Sequence, residues 1–166
     1  MNASDKDLFY EIGRSILNSV ITVLESCDRS APECSFVGFD RPPEDKCGLV
    51  VWIGNVRPYD GNTLDGGLRE GRLLCYNSFA FDVTVRMSRC FIDFNDKGPL
   101  SADVIEEMSK ELLLDAHVLY IQWVGALKGG QVSNLDNCDP VALGTLTPYR
   151  DGTCAGWEFT ITVGVM

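Results

Sequence analysis

The cleanest hydrophobic pattern lies at the C-terminal end. Trp157, Phe159, Ile161, Val163 and Val165 alternate with Glu158, Thr160, Thr162 and Gly164. A period of two places the large apolar side chains on one face of a strand, and threonines on the other face also suit a strand. One other segment alternates as cleanly: Phe79, Phe81, Val83, Val85 and Met87 against Ala80, Asp82, Thr84, Arg86 and Ser88. Beyond Met87 the phase slips, because Cys90, Ile92 and Phe94 take even positions. That slip predicts a β-bulge or bend near Ser88–Arg89. The run from Gly48 to Gly54 is apolar on both faces, as in a central strand covered on both sides. Phe36 to Phe39 predicts a shorter strand.

Two segments carry the helical period instead. In the first, Leu8, Ile12, Ile16, Val20 and Val23/Leu24 recur at helix spacing. Ser4 is a candidate N-cap and Asp7 its capping-box-like partner, so a helix is expected over about Lys6–Ser26. In the second, Val104, Met108, Leu112, Ala116, Leu119/Tyr120 and Trp123 form the stripe. Ser101 is placed to cap it, and Asp103, Glu106 and Glu107 lie near its positive end. At ~1.5 Å per residue this helix reaches roughly 36 Å, enough to cross a sheet.

Between these segments the chain is rich in breakers. The stretch 56–71 holds a proline, four glycines and five charged residues, and 131–149 holds Pro140 and Pro148. Both are expected as long loops, which in compact domains are functional or disordered. Two amphipathic strands need one core, and helices must cover it. The pattern therefore predicts an α+β fold: a mainly antiparallel sheet covered by two long helices, in the order α-β-β-β-α-β.

Composition refines this only slightly. A chain of 166 residues with 45% hydrophobic and 23% charged residues is read as one domain spanning 1–166. No apolar run reaches the ~18–20 residues of a membrane span, and the N-terminus lacks the basic and apolar regions of a signal peptide. The net charge of −10 argues against gripping nucleic-acid phosphates. Seven cysteines, at 27, 34, 47, 75, 90, 138 and 154, include no Cys-x-x-Cys. Reduced thiols are the expectation. If disulfides form, Cys27–Cys34 and Cys138–Cys154, each flanking a loop, are the candidate pairs.

Catalytic and cofactor constellations fail on spacing. Asp93 to Gly98 resembles the start of a calcium loop, but Lys97 and Val104 stand where ligands are needed. His117, the only histidine, lies mid-helix and reads as a packing residue. Cys27, Cys34 and Cys47 match no common zinc module. Gly61 to Gly71 lacks the Lys-Ser/Thr ending of a phosphate loop. No cofactor, metal or catalytic residue is therefore expected.

The run Leu143-Gly-Thr-Leu-Thr-Pro-Tyr149-Arg-Asp-Gly152-Thr-Cys154-Ala-Gly156-Trp-Glu158, leading into the terminal strand, resembles the ending of head-to-tail and tail proteins of phages infecting actinobacteria. There a Pro-Gly-rich turn precedes Cys-Ala-Gly-x-Glu. The helix ending Leu114-Asp-Ala-His-Val-Leu-Tyr120 is similar to that family's long helix. The element order also resembles the tail terminator fold of long-tailed phages. The resemblance implies a structural virion protein at the head–tail junction, made in the host cytoplasm, with no enzymatic activity. It implies a ring subunit, usually in a hexamer, that caps the tail tube and stops its polymerisation. Its partners would be copies of itself, the major tail tube protein and the head-to-tail connector or stopper. DNA would pass through the lumen without sequence-specific binding, and an acidic surface suits such a conduit. Arg57, Tyr59, Asp60, Asn62, Leu64, Arg69, Tyr149, Arg150 and Asp151 are the candidate interface residues on the two loops.

Rival readings stay open. A neighbouring stopper or adaptor ring belongs to the same class; adaptors are typically mostly helical and stoppers mostly β-barrel, which tilts the order toward the terminator. A thiol-dependent enzyme would use Cys75 or Cys154 with His117 and needs an exposed cysteine of lowered pKa. A monomeric cytosolic binding module would form no ring.

Overall fold

The two alternating segments form the middle of a sheet. β3 (Phe79–Cys90) and β6 (Cys154–Val165) pair antiparallel over their whole length, from Phe79 opposite Val165 to Cys90 opposite Cys154. A computed structural model describes residues 8–38, 47–58, 79–91, 101–128 and 138–165. Ser4, Asp7, Cys75, the 93–98 turn and most of the 56–71 loop lie outside the described residues.

The chain is α+β with a mixed sheet. β1 (Ser35–Gly38) runs parallel to β2 (Leu49–Pro58), and the other pairings are antiparallel. The strand order is β1-β2-β3-β6-β4, where β4 spans Cys138–Leu143. β5 (Thr147–Asp151) shares the β6 edge with β4: β4 pairs with residues 161–165 and β5 with 154–158. The stretch 131–149, expected as loop, thus contains β4 and the start of β5, and the element order is longer than α-β-β-β-α-β. Pro140 and Pro148 hid these strands from a sequence reading. Both lie on edge strands, where a missing N–H breaks no ladder, and the register shifts between Pro140 and Ala142.

The expected slip near Ser88–Arg89 is absent, since the β3–β6 register runs unbroken through it. What changes there is the environment: Arg89 continues the helix-covered face but meets Asp115 rather than apolar side chains. The irregularity beside β3 lies instead towards its other end, in β2 between Ile53 and Val56, opposite Val83 and Phe81. Leu49, Val50, Val51 and Trp52 are all buried, as a strand covered on both faces requires.

α1 (Leu8–Ser26) lays Ile12, Ile16, Leu17, Val20 and Leu24 onto the sheet. Burying each such side chain contributes about 1.5–3 kcal/mol. Gly13 lets the helix approach β1 closely, because a Cβ there would lie 2.9 Å from Val37 Cγ1. α1 ends in a Schellman arrangement. Asp28 takes φ 57°, its N–H donates to the Glu25 carbonyl at 3.1 Å, and the Arg29 N–H donates to the Leu24 carbonyl at 2.9 Å.

The second helical run has three parts: α2 (Ala102–His117), a π-helical turn over Val118–Trp123, and α3 (Val124–Lys128). Ser101 takes the N-cap backbone position, but its side chain makes no capping bond. The widened turn shifts the phase of the inward face. Val118, Leu119, Trp123, Val124 and Leu127 face the core, whereas Val104 and Tyr120, expected on the stripe, are exposed. The Trp123 indole donates to Ser19 Oγ at 2.7 Å and stands edge-on to Phe159 at 5.5 Å. Trp157 Nε1 donates to the Leu112 carbonyl at 2.6 Å, pinning α2 to β6.

Candidate functional site

Alternation gives the sheet a second face, and on β3 and β6 that face is polar. Asp82, Thr84 and Arg86 stand opposite Thr162, Thr160 and Glu158. Each pair is hydrogen-bonded. Thr162 Oγ1 donates to Asp82 Oδ1 at 2.8 Å, the Thr84 and Thr160 hydroxyls are 2.8 Å apart, and Arg86 Nε donates to Glu158 Oε2 at 2.9 Å. Cross-strand pairs of this kind contribute about 0.2–1 kcal/mol each.

Arg86 dominates this face. Its side chain is 1% exposed and lies between two rings, with the guanidinium 5.1 Å from the Trp52 centroid and 4.1 Å from that of Tyr149. Cation–π attraction offsets part of its desolvation. Among the described residues its two terminal nitrogens have no hydrogen-bond partner. Tyr149 pairs in register with Gly156. A Cβ at Gly156 would collide with the Met87 carbonyl and come within 2.6 Å of Ser88 Cα. Glycine is therefore what allows β6 to approach β3 here, and the Tyr149 ring lies over the Arg86 guanidinium beside it.

Arg57 reaches the same face through the β2 irregularity. Gly54 and Asn55 together oppose the single residue Asp82, so Val56 falls opposite Phe81 and Arg57 opposite Ala80. Without the two-for-one step, Arg57 would point with Ile53 toward the helices. Instead it donates to Asp82 Oδ1 at 2.9 Å, Asp82 Oδ2 at 3.2 Å and Thr162 Oγ1 at 3.2 Å.

Among the nominated interface residues, Tyr59, Asp60, Asn62, Leu64 and Arg69 lie outside the described residues. Arg57, Tyr149, Arg150 and Asp151 are on strands rather than in loops. They do not converge. Arg57 aligns through Ala80 with Gly164, and Tyr149 aligns with Gly156. Eight residues of extended strand separate those levels by roughly 27 Å. Arg57 and Tyr149 are committed to contacts within the chain, Arg150 is exposed, and Asp151 is half-buried ahead of the Gly152 turn.

An ion cluster fastens α2 to the rest. Asp115, 1% exposed, accepts from Arg29 at 2.7 and 3.0 Å and from Arg89 at 2.5 and 3.0 Å. Arg29 also donates to Glu111 Oε2 at 2.6 Å. That hydrogen bond and the arginine's charge hold the Glu111 carboxyl below its ordinary value. For Arg29, burial pulls the pKa down, but its bonds to Asp115 and Glu111 outweigh burial and raise it.

At the foot of the sheet three cysteines meet. Cys90 faces Cys154 across β3 and β6, and Cys47 precedes β2. The Cys47 sulfur lies within bonding range of both other sulfurs, with Cα separations of 5.6 Å to Cys90 and 5.3 Å to Cys154. The Cys138–Cys154 pair is ruled out by register, because Cys138 pairs opposite Val165 at the far end of β6. Cys27 and Cys34 remain free. Cys154 is buried and adjoins Cys47, and among the described residues no hydrogen bond joins it to the exposed His117.

Among the described residues, apolar side chains are exposed on two sides. On the helical run they include Leu113 (63%), Leu114, Tyr120 and Ile121 (56%), interrupted by His117, with Val104 and Ile105 nearer its start. Near β1 and β2, Phe9, Tyr10, Val37, Ile53 and Val56 line a groove of about 550 Å³. A second groove of about 320 Å³ lies between α2 and the β5–β6 hairpin, bounded by Ile105, Met108, Leu112, Pro148 and Trp157.

No protein-family model matches the chain, and no curated protein matches it. No helix among the described residues is long and apolar enough to cross a membrane.

Sequence reasoning passed over Arg86, Asp115 and the cysteine cluster. Asp115 carried a signal. It continues the inward spacing Met108, Leu112, 115, Leu119, and an acid at such a position requires a buried cationic partner. Arg86 and the cysteines carried none, because their partners come from strands remote in sequence.

Proposed function

We propose that the protein is a structural subunit of a closed ring at the head–tail junction of a long-tailed phage, a tail terminator. The observation that carries this reading is the pair of unlike exposed apolar surfaces. One is the outer row Leu113, Leu114, Tyr120 and Ile121 on the helices. The other is the groove of Phe9, Tyr10 and Val56 beside the β1–β2 edge. A cyclic ring larger than a dimer uses a heterologous interface, in which one patch of each subunit meets a different patch of the next. Single exposed apolar residues need no explanation, but contiguous patches mark interaction surfaces. The resemblance of 143–158 falls on the β5–β6 hairpin, which frames the second groove and would face the tail tube or the connector.

Assembly state tests the reading. Mass photometry across concentration, with negative-stain imaging, should find closed rings, alone or on tail tubes, of about six subunits, the number the resemblance implies and cyclic symmetry allows. Leu113→Glu should dissolve the rings while leaving the far-UV circular dichroism unchanged. A protein that stays monomeric and is not recruited to the ends of added tail tubes would defeat the reading and favour a binding module.

A further inference from the structure

We propose that Cys47, Cys90 and Cys154 form a trithiolate site for a thiophilic divalent cation, Zn²⁺ being the natural occupant. Their sulfurs all lie within 4.8 Å of one another. Zinc with Zn–S bonds of about 2.3 Å in tetrahedral geometry needs sulfurs roughly 3.8 Å apart, which small side-chain rotations reach from here.

The backbone holds this geometry. The Phe91 N–H donates to the Thr153 carbonyl at 2.8 Å, so 91 and 153 are the hydrogen-bonded pair. Cys90 and Cys154 are then the adjacent non-hydrogen-bonded pair, in which side chains come closest. Cys47 is fixed through its neighbour. Ser88 N–H donates to the Gly48 carbonyl at 2.8 Å, and Gly48 N–H donates to Ser88 Oγ at 3.2 Å. Three ligands on anchored strand ends are pre-positioned, which a metal site requires.

A metal accounts for the whole cluster, whereas a disulfide accounts for two-thirds of it. One sulfur forms one disulfide, so either Cys47 pairing strands the remaining thiol against the bond. A single cation engages all three sulfurs at once. Binding converts three thiols to thiolates and releases three protons to solvent, leaving the Zn(S)₃ unit with one negative charge. The cluster is closed on the side of Cys154, 1% exposed, and open on the side of Cys90. That opening leaves a fourth coordination position for water or for another side chain, and three protein ligands with one open position is an established zinc arrangement.

The test uses the full-length chain, reduced and stripped with a chelator under anaerobic conditions, then titrated with Zn²⁺ against a chromophoric chelator. One zinc per chain is expected. Bound zinc should slow alkylation of Cys47, Cys90 and Cys154, mapped by peptide mass, and leave Cys27 and Cys34 unprotected. Cys90→Ser, at an exposed strand end, should fold normally and weaken zinc on the order of 100-fold, because a ligand is lost. Three results would overturn the proposal. They are no zinc retained by the reduced wild type, equal affinity in Cys90→Ser, and a Cys47–Cys90 or Cys47–Cys154 disulfide that forms in the zinc-saturated protein when a mild oxidant such as oxidised glutathione is then added to take up the two electrons.

Discussion

The two faces of the β3–β6 ribbon are one residue apart in sequence and opposite in construction. The odd positions, Phe81, Val83, Val85 and Met87 with Phe159 and Ile161, sit in a dry core under α1 and the second helical run. The even positions form a hydrogen-bonded ladder from Asp82, joined there by Arg57 of β2, to Arg86 and Glu158, and end at the cysteines. Burial matches only at the centre, where Val83 is 0% and Arg86 1% exposed; Asp82 and Glu158 keep 18% and 29% of their side chains open. The apolar face is stabilised by any close-fitting hydrophobic set. The polar face depends on particular partners, and a buried charge lacking them is a cost rather than a gain.

The largest expected effect tests the apolar face. Trp123→Ala removes a fully buried indole, its contact with Phe159 and its bond to Ser19. Denaturant unfolding should show a loss of about 3–5 kcal/mol. A loss below ~1 kcal/mol would mean that the π-helical turn re-forms as α-helix around the gap.

Next comes Asp115→Ala, which leaves Arg29 and Arg89 facing each other without their shared anion. A loss of about 3 kcal/mol is expected in the same assay, the arginines being partly open to water. Asp115→Ala/Arg89→Ala should lose less than the sum of the two single changes, and strict additivity would show that the cluster is not coupled.

Arg86→Met sharpens the contrast between the faces. It keeps the bulk between Trp52 and Tyr149 but removes the charge, whose terminal nitrogens lack partners among the described residues. Stability should change by no more than about 1 kcal/mol, and an increase is allowed. A loss of several kcal/mol would show that the guanidinium has a strong partner beyond Glu158.

The smallest effect is a pH dependence. The folded pKa of Glu111 lies below the ordinary 4.5 because Arg29 bonds its carboxylate. Its contribution is therefore complete above that value and is lost as pH falls through the folded pKa. Between pH 6 and pH 3, Glu111→Gln should flatten the fall in melting temperature relative to wild type. An identical slope would mean that the pair is screened by water.

The sequence by itself determined which side chains share a face. Period-two alternation fixed the core sides of β3 and β6, and the helical period fixed the buried row of α1, because both follow from local backbone geometry. It also carried the α+β class. Tertiary structure alone decided what lies beyond that range. The step at Gly54–Asn55 turns Arg57 onto the polar face, edge positions let Pro140 and Pro148 sit in strands, and a π-helical turn interrupts the second helical run. The cysteines show the limit most plainly. Positions 47, 90 and 154 are separated by 43 residues and by 107 counted from Cys47. No spacing rule links them, and they meet because strand register brings the end of β3, the start of β6 and the approach to β2 together at the foot of the sheet.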